Sequence, residues 1–254
     1  MKPVVLITGG AKRLGAEICK AFVKAGWAVA CHYNQSSVAA LELKSACLAD
    51  GFELEIFKAD LLDTKNLAML VNQVVGHYSR LDCIINNASL FEPDLGADFN
   101  DEIYTKQHTV NVLAALRLTQ LLAAHCQQRQ CIGAAVQILD QKVDNLNPDY
   151  FSYTLSKLAL RNSVKLQAQA LAPHIRVMGV SPGLMYLSGP QTQANFDKAS
   201  RVNLLQKPIN PVDVAKCCLD LVLNPAVNGA IVNVDNGQHL VPLGRDVMFL
   251  VDTL

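Results

Sequence analysis

The sequence predicts an α/β protein built around one parallel β-sheet that carries helices on both faces. Short β-branched runs alternate with longer amphipathic ones throughout the 254 residues. This alternation favours right-handed strand–helix–strand crossovers and therefore a doubly wound parallel sheet. No internal repeat, low-complexity tract or linker interrupts it, so we expect a single domain over residues 1–254.

About seven strands follow from this pattern, since each strand run is short and each helical run longer and amphipathic. The strands are predicted at 3–8, 27–33, 53–58, 81–86, 132–140, 175–181 and 229–235. The helices are predicted at 13–26, 37–50, 64–78, 101–128, 151–172 and 211–223. We interpret the polar stretch 186–200 as a mobile lid.

Charge and hydropathy exclude several classes of function. The 22 basic and 22 acidic residues cancel, and no Lys/Arg run forms a surface for nucleic acid or anionic lipid. The apolar run after Pro3 is too short for a signal peptide, and no run of about 18 apolar residues could span a membrane. We expect a soluble, cytoplasmic protein.

The eight cysteines lie in apolar strand or helix stretches. None forms a Cys-x-x-Cys pair, and none combines with histidines at zinc spacing. They are interpreted as buried thiols in a reducing compartment, and no metal site is predicted. Adjacent Cys217 and Cys218 fit a helix with one inward and one lateral side chain.

A glycine turn follows the first strand and leads into a helix, from Thr8 to Gly15. Glycines let the backbone approach a ligand, and a helix N-terminus offers free N–H groups to a pyrophosphate. Such turns are often only tight corners. In this position between strand and helix, the turn predicts a dinucleotide site.

The end of the second strand favours NADPH over NADH. No carboxylate lies between Glu17 and Glu42, so none is available there for a free ribose 2′-hydroxyl. No Lys or Arg lies between Lys24 and Lys44 either, so Arg13 is the nearest cation for a 2′-phosphate. Asp60 suits an adenine amino group or, equally, a helix N-terminus.

Tyr153 and Lys157 lie four residues apart on a predicted helix and share one face. A phenol beside a fixed ammonium can donate a proton, because the cation stabilises the phenolate. Asp140, at the end of the preceding strand, is a second polar group that could orient a substrate. Asp140 could otherwise be a turn acid, and Asn111 a helix-surface amide.

Taken in order, these motifs resemble those of a short-chain dehydrogenase/reductase with a Rossmann fold. They comprise Thr8-Gly9-x-x-x-Arg13-x-Gly15, Asn86-Asn87-Ala88, Asn111, Tyr153-x-x-x-Lys157 and Pro182-Gly183, and the similarity extends to Gly237. Within that family the chain is similar to the pteridine reductases. The narrower features are Arg13 in place of a glycine, His32-Tyr33-x-x-Ser36, Ser89 and Phe91 after Asn-Asn-Ala, Asp140 in place of the usual serine, and Tyr150.

The resemblance implies a role for each residue. Tyr153 would donate the proton, Lys157 would hold the nicotinamide ribose and lower the pKa of Tyr153, Asp140 would share in proton delivery, and Asn111 would support a water chain. The implied NADP site comprises Gly9, Arg13, Leu14, Gly15, His32, Tyr33, Asn34, Ser36, Asp60, Leu61, Asn87, Ala88, Ser89, Lys157, Pro182 and Gly183. The implied pterin site comprises Arg13, Ser89, Phe91, Asp140, Tyr150 and Tyr153.

Asp140 and Phe91 fit a pterin better than a ketone. Phe91 could stack on one face of the flat ring, or alternatively fill the core. Reduction of a ring C=N bond needs a proton at nitrogen, which a carboxyl bonded to the phenol can help deliver. Near a carbonyl, a carboxylate would oppose the negative charge that develops on oxygen.

Several features depart from the pteridine reductases. Gln35 replaces a frequent basic residue, Asn236 a frequent glycine, and residues 184–187 are unusually bulky and apolar. The apolar residues 248–251 predict, by analogy, a subunit contact in a homotetramer. The alternative function is a carbonyl or 3-oxoacyl reductase with the same Tyr–Lys chemistry. A cofactor-sensing module without catalysis is disfavoured by intact Tyr153, Lys157 and Asn111.

Overall fold

In this computed structural model, residues 1–189 and 191–252 are described. Within them, seven strands form one parallel sheet in the order β3-β2-β1-β4-β5-β6-β7. The strands are β1 Val4–Ile7, β2 Ala28–Tyr33, β3 Leu54–Lys58, β4 Cys83–Asn86, β5 Gly133–Ile138, β6 Ile175–Pro182 and β7 Ile231–Val234. The α/β class, the doubly wound sheet and all seven predicted strands are confirmed.

The helices connect these strands on both sides of the sheet. They are α1 Arg13–Lys24, α2 Ser37–Ala49, α3 Leu67–Tyr78, α4 Asp101–His108, α5 Ala115–Arg129, α6 Phe151–Ala170, α7 Gln193–Ala199, α8 Pro211–Leu223 and α9 Val247–Leu250. The single helix predicted at 101–128 contains a π-helical segment, Thr109–Ala114, between α4 and α5. Such segments are frequent at functional sites, and this one carries Asn111.

Two apolar layers cover the sheet. Ile18 and Phe22 of α1 pack with Val214 of α8 on one face. On the other face, Leu70 of α3 packs with Leu118 of α5. Central β1 and β4 are buried along their whole length, which is why their sequences are continuous apolar runs rather than alternating ones.

Cys218 is buried and Cys217 is partly exposed, as the helical reading of this pair predicted. Among the described residues, no helix is long and apolar enough to span a membrane. No group of side chains among them could hold a metal ion.

The strand order reverses between β1 and β4, because β2 lies on one side of β1 and β4 on the other. A crevice opens at such a switch point, outside the carboxyl ends of the strands. The turn after β1 and the Asn86–Ala88 loop after β4 meet there, since Asn87 donates from Nδ2 to the carbonyls of Thr8 and Gly9 over 2.9 and 3.2 Å. The topology therefore places both motifs at one cleft.

Candidate active site

A cleft of about 540 Å³ runs along this edge of the sheet. Most of the predicted site residues line it: Gly9, Arg13, Leu14, Gly15, His32, Asn34, Asp60, Leu61, Asn87, Ala88, Ser89, Phe91, Asp140, Tyr153, Lys157, Pro182 and Gly183. Its volume is in the range of ligand and cofactor pockets.

Four predicted site residues do not line the cleft. Tyr33 packs against the core layer beneath α1 and α2, and Ser36 immediately precedes α2. Tyr150 lies against Phe91, and Asn111 is only 1% exposed. Tyr33 and Ser36 therefore lie outside the residues that line the cleft, and their contacts with the cofactor stay predictions.

The turn after β1 has the geometry of a pyrophosphate cradle. Gly9 has φ +61°, and a Cβ there would lie 3.1 Å from the Cα of Ala88. A Cβ on Gly15 would overlap the Gly9 carbonyl oxygen, so only glycine lets α1 pack onto the turn. No side chain caps the N-terminus of α1, which leaves its first N–H groups free for an anion. These residues fit a dinucleotide phosphate.

His32 holds this turn in place. Its Nδ1 accepts from the Gly9 N–H over 3.1 Å, which puts the proton on Nε2, where it reaches the Ala59 carbonyl at 3.1 Å. Burial lowers the pKa of His32 to about 4, so the ring is neutral at physiological pH. The resemblance placed His32 in the NADP site, and the structure shows that its ring connects β2, the residue after β3 and the glycine turn.

The end of the cleft where the adenosine is predicted to bind carries polar and charged side chains. Asn34 lines it, and Asp60 accepts from the Leu62 N–H over 3.0 Å in a turn rather than capping a helix. Lys12 also lines the cleft, which the sequence reasoning had not assigned. Arg13 has φ +50° and donates to the Leu187 carbonyl over 3.0 Å, so it reaches the segment after Gly183.

Asp140 and Tyr153 form the centre of the site. The Tyr153 Oη donates to Asp140 Oδ2 over 2.7 Å, and the other oxygen, Oδ1, accepts from the Lys142 N–H over 2.8 Å. Asp140 is thus both a turn acid and the partner of the phenol. The Ser181 hydroxyl donates to the Asp140 carbonyl over 2.8 Å and fixes the backbone behind it.

Burial raises the pKa of both groups. For Asp140, burial outweighs the lowering caused by its hydrogen bonds and by the ammonium groups of Lys142 and Lys157. For Tyr153, burial and the neighbouring Asp140 carboxylate raise the pKa well above its ordinary value. The expected lowering of the Tyr153 pKa by Lys157 is therefore wrong in this arrangement. The phenol is a protonated donor throughout the neutral range.

Lys157 is buried one turn further along α6. Its Nζ donates to the Ile138 carbonyl over 2.9 Å and lies 5.6 Å from the centroid of the Tyr153 ring. Burial lowers the pKa of Lys157 to about 8. The ammonium therefore faces the end of β5 beside the phenol, where the predicted ribose site lies.

Asn111 is buried and holds the loop that forms one wall of the cleft. Its amide pairs with both backbone groups of Leu90, at 2.8 and 3.0 Å, and its Nδ2 also donates to the Ser156 hydroxyl over 2.9 Å. It is not the surface amide considered above. The π-helical segment directs this side chain inward to the loop that carries Ser89 and Phe91.

The end of the cleft where the substrate is predicted to bind is lined by aromatic side chains. The Phe91 ring stacks on Tyr150 with centroids 4.1 Å apart, and it meets Tyr153 edge-on at 4.6 Å. Phe91 remains 38% exposed, so it does not fill the core. The Tyr150 hydroxyl donates to the sulfur of Met248 over 3.2 Å. An aromatic wall therefore stands directly beside the proton donor.

Sequence reasoning missed the residues that distant segments bring to the cleft. Lys142 is 3% exposed, and its Nζ lies 2.7 Å from Asn147 Oδ1 and 3.1 Å from Asp246 Oδ2. Met248 belongs to the stretch 248–251 that is predicted as a subunit contact, and Asp246 lies just before that stretch. Val251 of that stretch packs with Ala199 of α7, and the subunit contact stays a prediction. For Lys142, the available signal in the sequence was its position two residues after Asp140.

Within the predicted lid, residues 193–199 form α7, and Asn195 donates to the Met248 carbonyl over 3.0 Å. Pro190 lies outside the described residues. That the segment is a mobile lid stays a prediction.

The fold and the site define a nicotinamide-dependent oxidoreductase. The family model for short chain dehydrogenases matches residues 3–199, and the chain belongs to that family. An uncharacterized oxidoreductase of Methylorubrum extorquens is 31% identical, with 92% of this chain and 96% of the relative covered.

Other relatives carry narrower names. The crystal structure of FolM alternative dihydrofolate reductase 1 from Brucella canis, complexed with NADP, is 31% identical with a TM-score of 0.89, and 94% of each chain is covered. Pteridine reductase 1 of Leishmania tarentolae is 27% identical over 94% of this chain and 96% of its own. A 3-oxoacyl-[acyl-carrier-protein] reductase of Thermotoga maritima is 26% identical over 92% and 96%.

Proposed function

We propose that this protein is an NADPH-dependent reductase of a pterin ring C=N bond, acting on dihydropterins or dihydrofolate-like substrates. The hydrogen bond between Tyr153 and Asp140 carries the proposal, because it joins a proton donor to an acid inside an aromatic-walled cleft. The similarity to a dihydrofolate reductase and a pteridine reductase of this family supports it.

NADPH bound along the glycine turn would supply the hydride to a ring carbon. The side chains of the protein would deliver a proton to the adjacent ring nitrogen. The Tyr153 phenol, protonated at neutral pH, donates that proton, and the Asp140 carboxyl is placed to share in its delivery. The ammonium of Lys157 holds the ribose beside the phenol, and Phe91 positions the flat ring.

The preference for the phosphorylated cofactor rests on the end of β2. Asn34 lines the cleft there, and the strand end carries no carboxylate to bind a free 2′-hydroxyl or repel a phosphate. Lys12 and Arg13 are the cations on the cleft wall nearest in sequence to the pyrophosphate turn. The similar Brucella structure is complexed with NADP.

The experiment is a substrate panel on the purified protein with both nicotinamides. We expect oxidation of NADPH on addition of dihydrobiopterin or dihydrofolate, with a lower kcat/KM for NADH. Ketones and 3-oxoacyl thioesters serve as competing substrates. A kcat/KM for any of these above that for the dihydropterins would overturn the proposal.

The second candidate, a 3-oxoacyl reductase, has one specific structural argument. The cleft wall includes Leu184, Met185, Leu243 and Val247, an apolar surface that an acyl chain could cover. The Asp140 carboxylate beside Tyr153 argues against it, because a negative charge there would oppose the charge that develops on a carbonyl oxygen. The same panel separates the two reactions.

A further inference from the structure

Two buried amide oxygens on the wall of the cleft lack hydrogen-bond partners. They are Oε1 of Gln141 and Oε1 of Gln191, and the two residues are 9% and 7% exposed. Both residues line the cleft that holds Asp140 and Tyr153. Buried polar atoms in proteins are nearly always hydrogen-bonded, so an unpaired acceptor inside a binding cleft calls for a donor.

The neighbouring Asn195 fixes the orientation of the Gln191 amide. The Nδ2 of Asn195 donates to the Met248 carbonyl over 3.0 Å and to Asp252 Oδ2 at 3.3 Å, so its Oδ1 must face Gln191. The Gln191 Nε2 donates to that oxygen over 2.9 Å. A reversed Gln191 amide would place two oxygens in contact, so Oε1 is the atom left without a partner.

The same contacts place Gln191 at the substrate end. Asn195 holds Met248, whose sulfur accepts from the Tyr150 hydroxyl, and Tyr150 stacks on Phe91. Gln141 follows Asp140 directly in the chain and also lines the cleft. The two residues therefore lie at the end of the cleft that holds Asp140 and Phe91.

We propose that Gln191 determines substrate specificity: its Oε1 accepts a hydrogen bond from an N–H group of the bound heterocycle, with Gln141 Oε1 as a second acceptor. This inference rests on the proposed function and deepens it, because it names what the site recognises. The ligand class is a flat, amino-substituted heterocycle with a guanidine-like N–H edge. A ketone or acyl chain has no such hydrogens and would leave both oxygens unpaired, which sites of this kind reject strongly.

The test measures binding of pterin to the NADP-loaded protein by calorimetry, without turnover. Gln191→Leu removes the acceptor, and Gln191→Met removes it with an unbranched side chain closer in shape to glutamine. We expect each variant to weaken pterin binding by about tenfold. Gln193→Leu is the matched control, because Gln193 is exposed and pairs with Asp197. NADP affinity should be the same in all variants and reports an intact fold.

Turnover gives a second readout, since the loss should raise KM for the dihydropterin more than it lowers kcat. If the wild type binds pterin and reduces dihydropterins but both Gln191 variants bind pterin as tightly as wild type does, this oxygen does not bind the ligand and the inference alone is overturned. If the wild type binds no pterin and reduces no dihydropterin, the proposed function fails, and this inference fails with it.

Discussion

The phenol of Tyr153 donates to the half-buried carboxylate of Asp140 over 2.7 Å, and both side chains line the cleft. Burial raises the pKa of each group, and each also changes the pKa of the other. The arrangement favours keeping a proton in the pair. The Asp140–Tyr153 pair therefore affects the stability of the fold as well as proton transfer.

Asp140→Asn is expected to stabilise the fold while it lowers activity. The pKa of Asp140 is raised on folding, so its contribution to stability is present below the unfolded pKa and is lost as the pH rises through the folded one. At neutral pH the partly buried charge of Asp140 destabilises the folded state. Asparagine removes that charge, and its Oδ1 can still accept from the Lys142 N–H. Each kcal/mol gained in the free energy of unfolding should raise the melting temperature by about 2–4 °C. Thermal unfolding at neutral pH measures it, with Asp220→Asn, at an exposed position of α8, as the control.

Mild acid should loosen the pyrophosphate turn through His32. Its pKa is lowered from 6.5 to about 4, so the stability it contributes is present above 6.5 and is lost as the pH falls toward 4. The free energy of unfolding should fall by about 2 kcal/mol between about pH 7 and pH 5 from this group alone. Denaturant titrations at both pH values test this. Replacement by glutamine should remove most of the difference, whereas His77→Gln, at an exposed histidine, should keep it.

Binding of NADP should weaken in alkaline solution because of Lys157. Its pKa is lowered to about 8, so the ammonium that faces the ribose site is lost above that pH. The dissociation constant should rise by up to about tenfold per pH unit above pH 8 if binding requires the charged form. Lys157→Met should show weak binding with no such slope. Lys165→Met, on an exposed position of the same helix, should follow the wild type.

The aromatic wall should matter for substrate affinity rather than for the fold. Phe91→Leu removes the ring that stacks on Tyr150, and we expect KM for a dihydropterin to rise by roughly 2–10-fold. Phe99→Leu changes a similarly exposed ring outside the cleft and should leave KM unaltered. Steady-state kinetics with both variants decide the point. An unchanged KM in Phe91→Leu would show that this ring does not hold the substrate.

Local motifs explain why much of the fold and site could be predicted. Gly9, Gly15, Tyr153 and Lys157 act through short stretches of chain, where the spacing along a strand, turn or helix already fixes the geometry. Asp140 could be predicted because it ends the predicted strand that precedes this helix in the chain. The seven strands followed from hydrophobic runs that the two buried faces require.

Long-range packing explains what was missed. Gln191 reaches the cleft because Asn195 bonds to the carbonyl of Met248, more than fifty residues further along the chain. Lys142 likewise depends on Asp246. The pKa of Tyr153 was predicted in the wrong direction, because sequence showed a nearby lysine but not the burial or the carboxylate contact.

The most direct test of the account is the ratio of kcat/KM for dihydrobiopterin to that for a ketone, measured in wild type and in Asp140→Ser with NADPH. A serine can hold a carbonyl oxygen but cannot share a carboxyl proton with Tyr153. We expect the ratio to fall by about 10²-fold or more, mainly through lost pterin turnover, as is typical for removal of a group in proton transfer. Asp144→Asn should retain the wild-type ratio. An Asp140→Ser enzyme that reduces dihydrobiopterin as fast as the wild type would contradict the role of the Asp140–Tyr153 pair.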